Sequence, residues 1–367
     1  MSVEGGWRLD FESISHFPIP SKSATRRALN SPSGQFDPPA GAERKKRETT
    51  MGRNRKRKGD PIDGWLNLDK PYDITSTRCV SILKRLFNAQ KVGHGGTLDP
   101  LATGILPIAL GNATKTVAWA MDANKTYEFT VAWGVSTASY DVEGVEIARS
   151  DVRPTEAAIE EVLPEFVGEI EQVPPKFSAI KIDGKRAYDL ARDGEEFEIA
   201  GREVTVFSAE LVEVVDADHA TFRVRSGKGF YVRAMARDLA QRLGTEGHIS
   251  MLRRTQVGVF EEGVAVSLEE LETLHEEGGR EAIMKFLEPV DAPLDDIPEV
   301  QVSSMEAHQI TQGQHIVLMP HVVEEWRANR SSNPDDDRLA LAMLGDDAIA
   351  LGEVRAGRFQ PVRVLAV

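Results

Sequence analysis

A single cysteine, Cys79, stands in the 367 residues. No disulfide can form within the chain, and a reducing compartment, the cytoplasm, is expected. Long apolar runs are missing as well: nothing approaches the ~20 residues of a membrane-spanning helix, so no membrane association is expected. The first twenty residues carry Glu4, Asp10 and Glu12 and lack the continuous apolar core of a secretory signal. Eight scattered histidines beside one cysteine offer no metal-ligand spacing, and no metal is expected. The phosphate- and dinucleotide-binding motifs fail too. "GHGGTL" has Leu98 where the third glycine of a dinucleotide fingerprint would stand, and "GNATKT" lacks a glycine immediately before Lys115. "GTLDP" reverses the order of phosphotransferases with an aspartyl nucleophile, where the acid precedes the Gly-Thr. No cofactor is therefore expected.

What the chain does have is charge, unevenly spread. The net charge of −14 argues against a nucleic-acid partner only until its distribution is read. Between Phe222 and Arg254 eight basic residues face only Asp238 and Glu246, a local excess of +6. Between Glu261 and Glu299 thirteen acids face Arg280 and Lys285, a local −11. Residues 1–60 are rich in Ser, Pro, Gly and charge, with nine Lys or Arg between Arg44 and Lys58. Such a segment buries too little apolar surface to offset its ordering entropy and is expected to be a disordered basic extension. Met51, inside that run, is a candidate initiator.

Order is expected from "DGWLNLDKP" (63–71), a strand stopped by Pro71. "TSTRCVSILKRLFN" then places Cys79, Leu83, Leu86 and Phe87 on one helical face behind Thr/Ser capping candidates. "NATKTVAWAMDA" (112–123) reads as one helix. "KTYEFTVAWG" (125–134) alternates as a strand, with Tyr127, Phe129, Val131 and Trp133 on one side. "PPKFSAIKIDGKRAYDLARDG" (174–194) reads as a basic loop or insertion. "ATFRVRSGKGFYVRAMARDLAQRLG" (220–244) reads as strand, glycine turn, strand and helix. "EPVDAPLDDIP" (288–298) has the composition of a linker, and from Glu299 short strands and turns suggest a small β domain.

One loop stands out: "VGHGGTLDPLATGILP" (92–107) sets the lone acid Asp99 among glycines and follows it with Pro100. An Asp-Pro pair can simply start a helix or turn. In combination, however, "GHGGTLDPLATGILPIALGNATK" closely resembles the defining segment of the TruB family of tRNA pseudouridine synthases. "DGWLNLDKP", "KTYEF", "PPKFSAIKIDGKRAYDLAR", "GKGFYVRAMARDLA" and "LRRTQVG" also follow in that family's order, so the resemblance spans Asp63 to Val290. The last seventy or so residues resemble its small RNA-binding PUA domain more loosely.

The resemblance implies an α/β (α+β) fold with a mixed, largely antiparallel central sheet flanked by helices, plus a C-terminal PUA-like β domain. It assigns 61–290 to catalysis, with an RNA-contacting insertion at 174–205, and 298–367 to the PUA-like domain. It implies formation of pseudouridine at position 55 in the T-loop of tRNA, by a monomer without protein partners. Asp99 would be the nucleophile, Tyr127 the aromatic beneath the uracil and Arg233 the partner of the aspartate. Tyr231 and Leu252 would line the same pocket, and His94 would fill the space left by the extruded base. Gly95, Thr97, Lys115, Lys176, Lys181, Lys185, Lys228 and Arg253 complete the expected RNA contacts. Read singly, Tyr127 is a core aromatic and Arg233 a solvated residue sharing a helix face with Arg237; the constellation favours the site.

The chemistry suits these residues. Isomerising uridine breaks the N1–C1′ bond, rotates the base and forms a C5–C1′ bond. A carboxylate can attack covalently, or stabilise and deprotonate the sugar, and both routes stay open. An adjacent Arg favours the ionised carboxylate. A base in a folded loop must be flipped out of its stack, and cations gripping phosphates offset that cost. Two other readings compete: a guide-RNA-dependent synthase and an RNA-folding chaperone. The "GGTLDPLATGILP" run and the basic 174–194 stretch resemble the bacterial, stand-alone branch.

Overall fold

A computed structural model describes residues 58–366 apart from 179, 183, 196 and 330–336. The N-terminal basic segment, with Met51, lies outside the described residues. The strand expected at 63–71 is β1 (Gly64–Lys70), buried on both faces. Helix α1 (Ser76–Leu86) follows, and the Thr75 side chain caps it by accepting from the Arg78 N–H. Then come β2 (Thr103–Leu110), α2 (Val117–Asp122), β3 (Lys125–Trp133), α3 (Glu156–Val162) and β4 (Gly168–Gln172). The elements of this larger part of the chain end with β5 (Arg202–Val214), β6 (His219–Ser226), α4 (Val232–Arg242), β7 (Gly247–Val257) and α5 (Leu268–Met284).

The main sheet runs β1-β2-β7-β3-β6-β5-β4, with short strands added along β1, β2 and β7. Along this path only β2 and β7 pair in parallel, so the sheet is mixed and largely antiparallel. Strand β3 alternates as expected, with Tyr127, Phe129, Val131 and Trp133 buried. These residues pack with β6, α3 and α4, where Met235 and Leu239 are buried and Leu243 is partly so. A second apolar cluster joins Leu66, Leu68, Leu106 and Ile108 to Cys79, Leu83 and Phe87 of the α1 face and to Leu271 and Ile283 of α5. Leu252 packs against both clusters, at the seam between the two halves of the sheet.

Several segments differ from expectation, among them 220–244, where a turn leads from β6 straight into α4 with no second strand. The helix expected over 112–123 is a 3-10 turn, Gly111–Lys115, followed by the shorter α2. Thr116 separates them because its hydroxyl is held among the indole N–H of Trp65, the Ala113 carbonyl and the Val290 carbonyl. The basic stretch 174–194 is not a bare loop: it forms a small hairpin, Lys181–Ile182 against Lys185–Arg186, and a helical turn, Ala187–Arg192. The C-terminal region is not all β. Its sheet, β8 (Glu299–Gln301), β9 (Ile316–Val317), β10 (Leu339–Leu344), β11 (Asp347–Arg355) and β12 (Arg358–Val364), is accompanied by α6 (Ser304–Thr311) and α7 (Pro320–Asn329). A reciprocal capping box between Ser303 and Glu306 starts α6.

The stretch 288–298 packs rather than dangles. Leu294 and Ile297 are buried with Leu341, Leu351 and Leu365 of the C-terminal sheet, and Trp119 of α2 packs on the same cluster. Lys115 adds a polar tie, its ammonium donating to the Val364 carbonyl at 2.7 Å. Removing a buried leucine side chain costs about 2–5 kcal/mol. Leu294→Ala is therefore expected to lower the unfolding free energy by about that amount. Urea unfolding checks the size of the loss, and protease nicking at the joint should rise with it.

Candidate active site

Asp99 owes its position to backbone clamps on either side. The Ser76 hydroxyl takes the Leu98 N–H at 2.9 Å and donates to the Leu98 carbonyl at 3.0 Å, holding the residue before it. The fully buried Lys70 ammonium donates to the carbonyls of Pro71, Ile74 and Pro100, holding the residue after it. Asp99 itself opens a β-turn, its carbonyl accepting from the Ala102 N–H at 3.1 Å with Pro100 at the second position. Of the two bland readings of Asp-Pro, the turn is the one formed. Glycine is required at 104, where φ is +97° and a Cβ would lie 2.1 Å from the Arg254 carbonyl oxygen.

Arg233 is supplied by the first turn of α4, which is buried against the sheet. Its side chain is only 8% exposed, so it is not the solvated residue that a helix-face reading suggests. Each terminal nitrogen serves two acceptors. Nη2 meets the Asp99 carboxylate at 2.9 Å and the Phe177 carbonyl at 2.9 Å. Nη1 meets the Ser139 carbonyl at 3.0 Å and the Asp141 carboxylate at 3.5 Å. Asp141 escaped the sequence reading. It is fixed by the Ser139 hydroxyl and by the Glu143 N–H, the geometry of an Asx turn. The signal available for it was modest: an acid two residues after Ser139 and three before Gly144 in "STASYDVEG".

Asp99, Arg233 and Leu252 line one pocket with Leu101, Asp141, Glu143, Ile249 and Met251. Three carboxyl groups thus surround one guanidinium. Burial pushes the Glu143 carboxyl above its ordinary value, and the charges of Asp141 and Asp99 push it the same way. Asp99 remains open, its side chain 43% exposed, whereas Asp141 is 16% exposed. The accessible carboxylate is the one a substrate can reach. Tyr127 is buried in the cluster against which Leu252 packs, and neither it nor Tyr231, expected beside Leu252, is among the residues lining this pocket.

The other expected contacts divide. His94 is half-buried on a short strand paired with β2, and its Nδ1 finds no partner among the described residues. Burial and then the Arg254 charge push its pKa below the ordinary 6.5. Gly95 is buried against Ala120, and Thr97 is exposed. Lys176 and Lys185 are exposed on the basic insertion, Lys185 being 3.3 Å from Glu195. The side chain of Lys181 lies outside the described residues. Lys228 is exposed and pairs with Asp122, while Tyr231 lies beneath the Arg202 guanidinium at 5.0 Å. Two of the expected contacts are already paired within the protein. Lys115 is committed to Val364, and Arg253 is neutralised by a two-pronged pair with Asp69, at 2.8 and 3.0 Å, and by Glu262. In this structure both side chains are thus engaged within the protein, the Arg253 pairs at a partly exposed position.

Residues 84–232 match the TruB family pseudouridylate synthase (N terminal domain), and residues 233–295 match the tRNA pseudouridylate synthase B C-terminal domain. The chain is 55% identical over 310 residues to the tRNA pseudouridine synthase B of Caulobacter vibrioides, covering 84% of this chain and 98% of that one. It is 49% identical over 315 residues to the protein of the same name from Agrobacterium fabrum, covering 85% and 97%. Among solved structures, a chain of a Cbf5–Nop10–Gar1 complex aligns with a TM-score of 0.63 and 26% identity, over 83% of this chain and 85% of the other. The mixed, largely antiparallel sheet flanked by helices is the fold of a pseudouridine synthase. The chain belongs to the TruB family of these enzymes, and its fold is the one the sequence resemblance implied.

Two measurements follow from this geometry. Asp141→Asn keeps the shape but removes one of the two charges that orient Arg233. It is expected to lower kcat by roughly ten- to a hundredfold with RNA affinity nearly unchanged, because one misaligned group suffices for a loss of that order. His94 gives a pH test. Its folded-state pKa lies below the unfolded 6.5, so the unfolded chain takes up the proton first as pH falls. Stability present above 6.5 is lost below it. Relative to His94→Gln, the wild type should lose unfolding free energy as pH falls through and below 6.5, read by urea denaturation.

Proposed function

We propose that this enzyme isomerises uridine to pseudouridine in the T-loop of tRNA, with Asp99 as nucleophile on a flipped-out base. The observation that carries the site assignment is the 2.9 Å contact between Asp99 and Arg233 at an open pocket. The tRNA substrate comes from the family and from the names of relatives that align over nearly their whole length. The relatives named tRNA pseudouridine synthase B are far more similar to this chain than the chain of the Cbf5–Nop10–Gar1 complex, and we read the enzyme as a monomer acting without a guide RNA or protein partner. A cytoplasmic location accords with the free, buried Cys79; among the described residues no helix is long and apolar enough to cross a membrane.

In this reading the target nucleotide leaves its stack, and His94 occupies the space it vacates. The uracil settles over Tyr127 with Leu252 beside it, and Arg233 presents the Asp99 carboxylate. The N1–C1′ bond breaks, the detached uracil turns, C5 bonds to C1′, and the C5 proton departs as N1 gains one. Atoms and electrons balance without an oxidant or a phosphate donor. Arg and Lys around the cleft, including Lys176 and Lys185, grip the phosphates and offset the cost of unstacking.

Asp99→Asn preserves size and much of the hydrogen bonding but removes the charge and the nucleophilic oxygen. Turnover is expected to fall by orders of magnitude while tRNA binding persists, because phosphate contacts dominate affinity. Incubation with an unmodified tRNA transcript and chemical mapping of pseudouridine reads the first; filter binding reads the second. Pseudouridine formed by the pure variant would end the proposed mechanism.

A further inference from the structure

Arg254 is 2% exposed, and among the described residues no carboxylate is paired with it. A buried cation without a counter-charge is costly, and an apolar side chain of similar volume commonly packs as well or better. Its retention calls for a function in its contacts. The Nε–H donates to the Ile105 carbonyl at 2.8 Å, and Nη2 donates to the Gly96 carbonyl at 3.1 Å. The third neighbour is Tyr127, whose phenol lies near enough to the guanidinium to favour its charged form. Arg254 of β7 lies directly across from Tyr127 of β3 in the antiparallel ladder, so the two side chains project from the same face.

These partners sit on three separate pieces of the site. Gly96 lies three residues before Asp99, Ile105 lies six residues after it, and Tyr127 belongs to a different strand. The Gly104 backbone lies so close against Arg254 that only glycine fits between the strands. The charge is felt well beyond its bonds: Lys70, His94 and Lys125 all have their pKa values lowered in part by Arg254. A planar guanidinium can reach three acceptors in fixed directions at once, which a lysine ammonium on a flexible stem does not reproduce.

We infer that Arg254 is a positioning residue of the isomerisation, its guanidinium fastening the Tyr127 phenol to both ends of the Asp99 loop so that ring and carboxylate keep one register. The inference rests on the roles given to Tyr127 and Asp99 above. It goes further by assigning the phenolic oxygen a task, since the ring face alone would serve for stacking.

A double-mutant cycle on the full chain tests this with Arg254→Lys and Tyr127→Phe. Arg254→Lys is expected to lower kcat by roughly ten- to a hundredfold, with KM for tRNA within about twofold of wild type. In the Tyr127→Phe background the same replacement should lower kcat by less than about threefold, because the phenol it acts through is already gone. Equal losses in the two backgrounds would make Arg254 a general packing residue and overturn the inference. If Tyr127→Phe alone leaves turnover at the wild-type level, the assigned role of the phenol fails, whereas pseudouridine formed by Asp99→Asn defeats the underlying site reading. Thermal unfolding accompanies every variant. Should Arg254→Lys not fold, Arg254→Gln takes its place in the cycle, and failure of both to fold shows a folding residue and likewise overturns the inference.

Discussion

The contact between Asp99 and Arg233 is the constraint around which the rest of the molecule is arranged. Asp99 hangs from the half of the sheet packed under α1, and Arg233 comes from the helix covering the other half. Bringing them together requires β7 to lie between β2 and β3, and Leu252 fills the seam where the two apolar clusters meet. A buried arginine paired with acids adds little to stability, because desolvation offsets most of the attraction. Its geometry is better understood as preorganisation. Four acceptors fix the guanidinium before any substrate arrives, so little reorganisation remains for the reaction itself.

Beneath the loop the charge arrangement is the reverse of that in the pocket. Above, Asp99, Asp141 and Glu143 crowd around one cation; below, Lys70 and Arg254 are buried cations bonded chiefly to backbone carbonyls. Each lower cation ties the backbone of a glycine-rich loop whose side-chain anchors, Leu98 and Ala102, are apolar. The flexibility that lets this backbone come close to another molecule is thus balanced by ties from underneath.

Much of this was legible in the sequence, for identifiable reasons. The period-2 run from Tyr127 to Trp133 and the helical stripe through Met235 and Leu239 report burial directly, because an apolar pattern and a packed face are the same fact. Asp99 could be singled out because its neighbours are so unusual. Arg233 could not be seen as buried, since helical periodicity does not distinguish a charged residue facing water from one facing a carboxylate. Asp141 was hidden by distance: it lies 42 residues beyond Asp99 and meets Arg233 only through tertiary packing. The same limit hid the intramolecular partners of Lys115 and Arg253, since Val364 and Asp69 stand 249 and 184 residues away. The capping box at Ser303 and Glu306 is a different case, a local signal of α6 that the surrounding short strands and turns overshadowed.

The shared nitrogen of Arg233 has a mechanical meaning. Nη2 bonds on one side to Asp99 and on the other to the carbonyl of Phe177, at the base of the basic hairpin. The hairpin and the nucleophile are therefore coupled in series through a single rigid plane of atoms. A displacement of the hairpin by even a fraction of a bond length must either stretch one of these two contacts or tilt that plane. The aspartate then registers the hairpin's position as a change in its own alignment, with no residue of the hairpin having to enter the pocket.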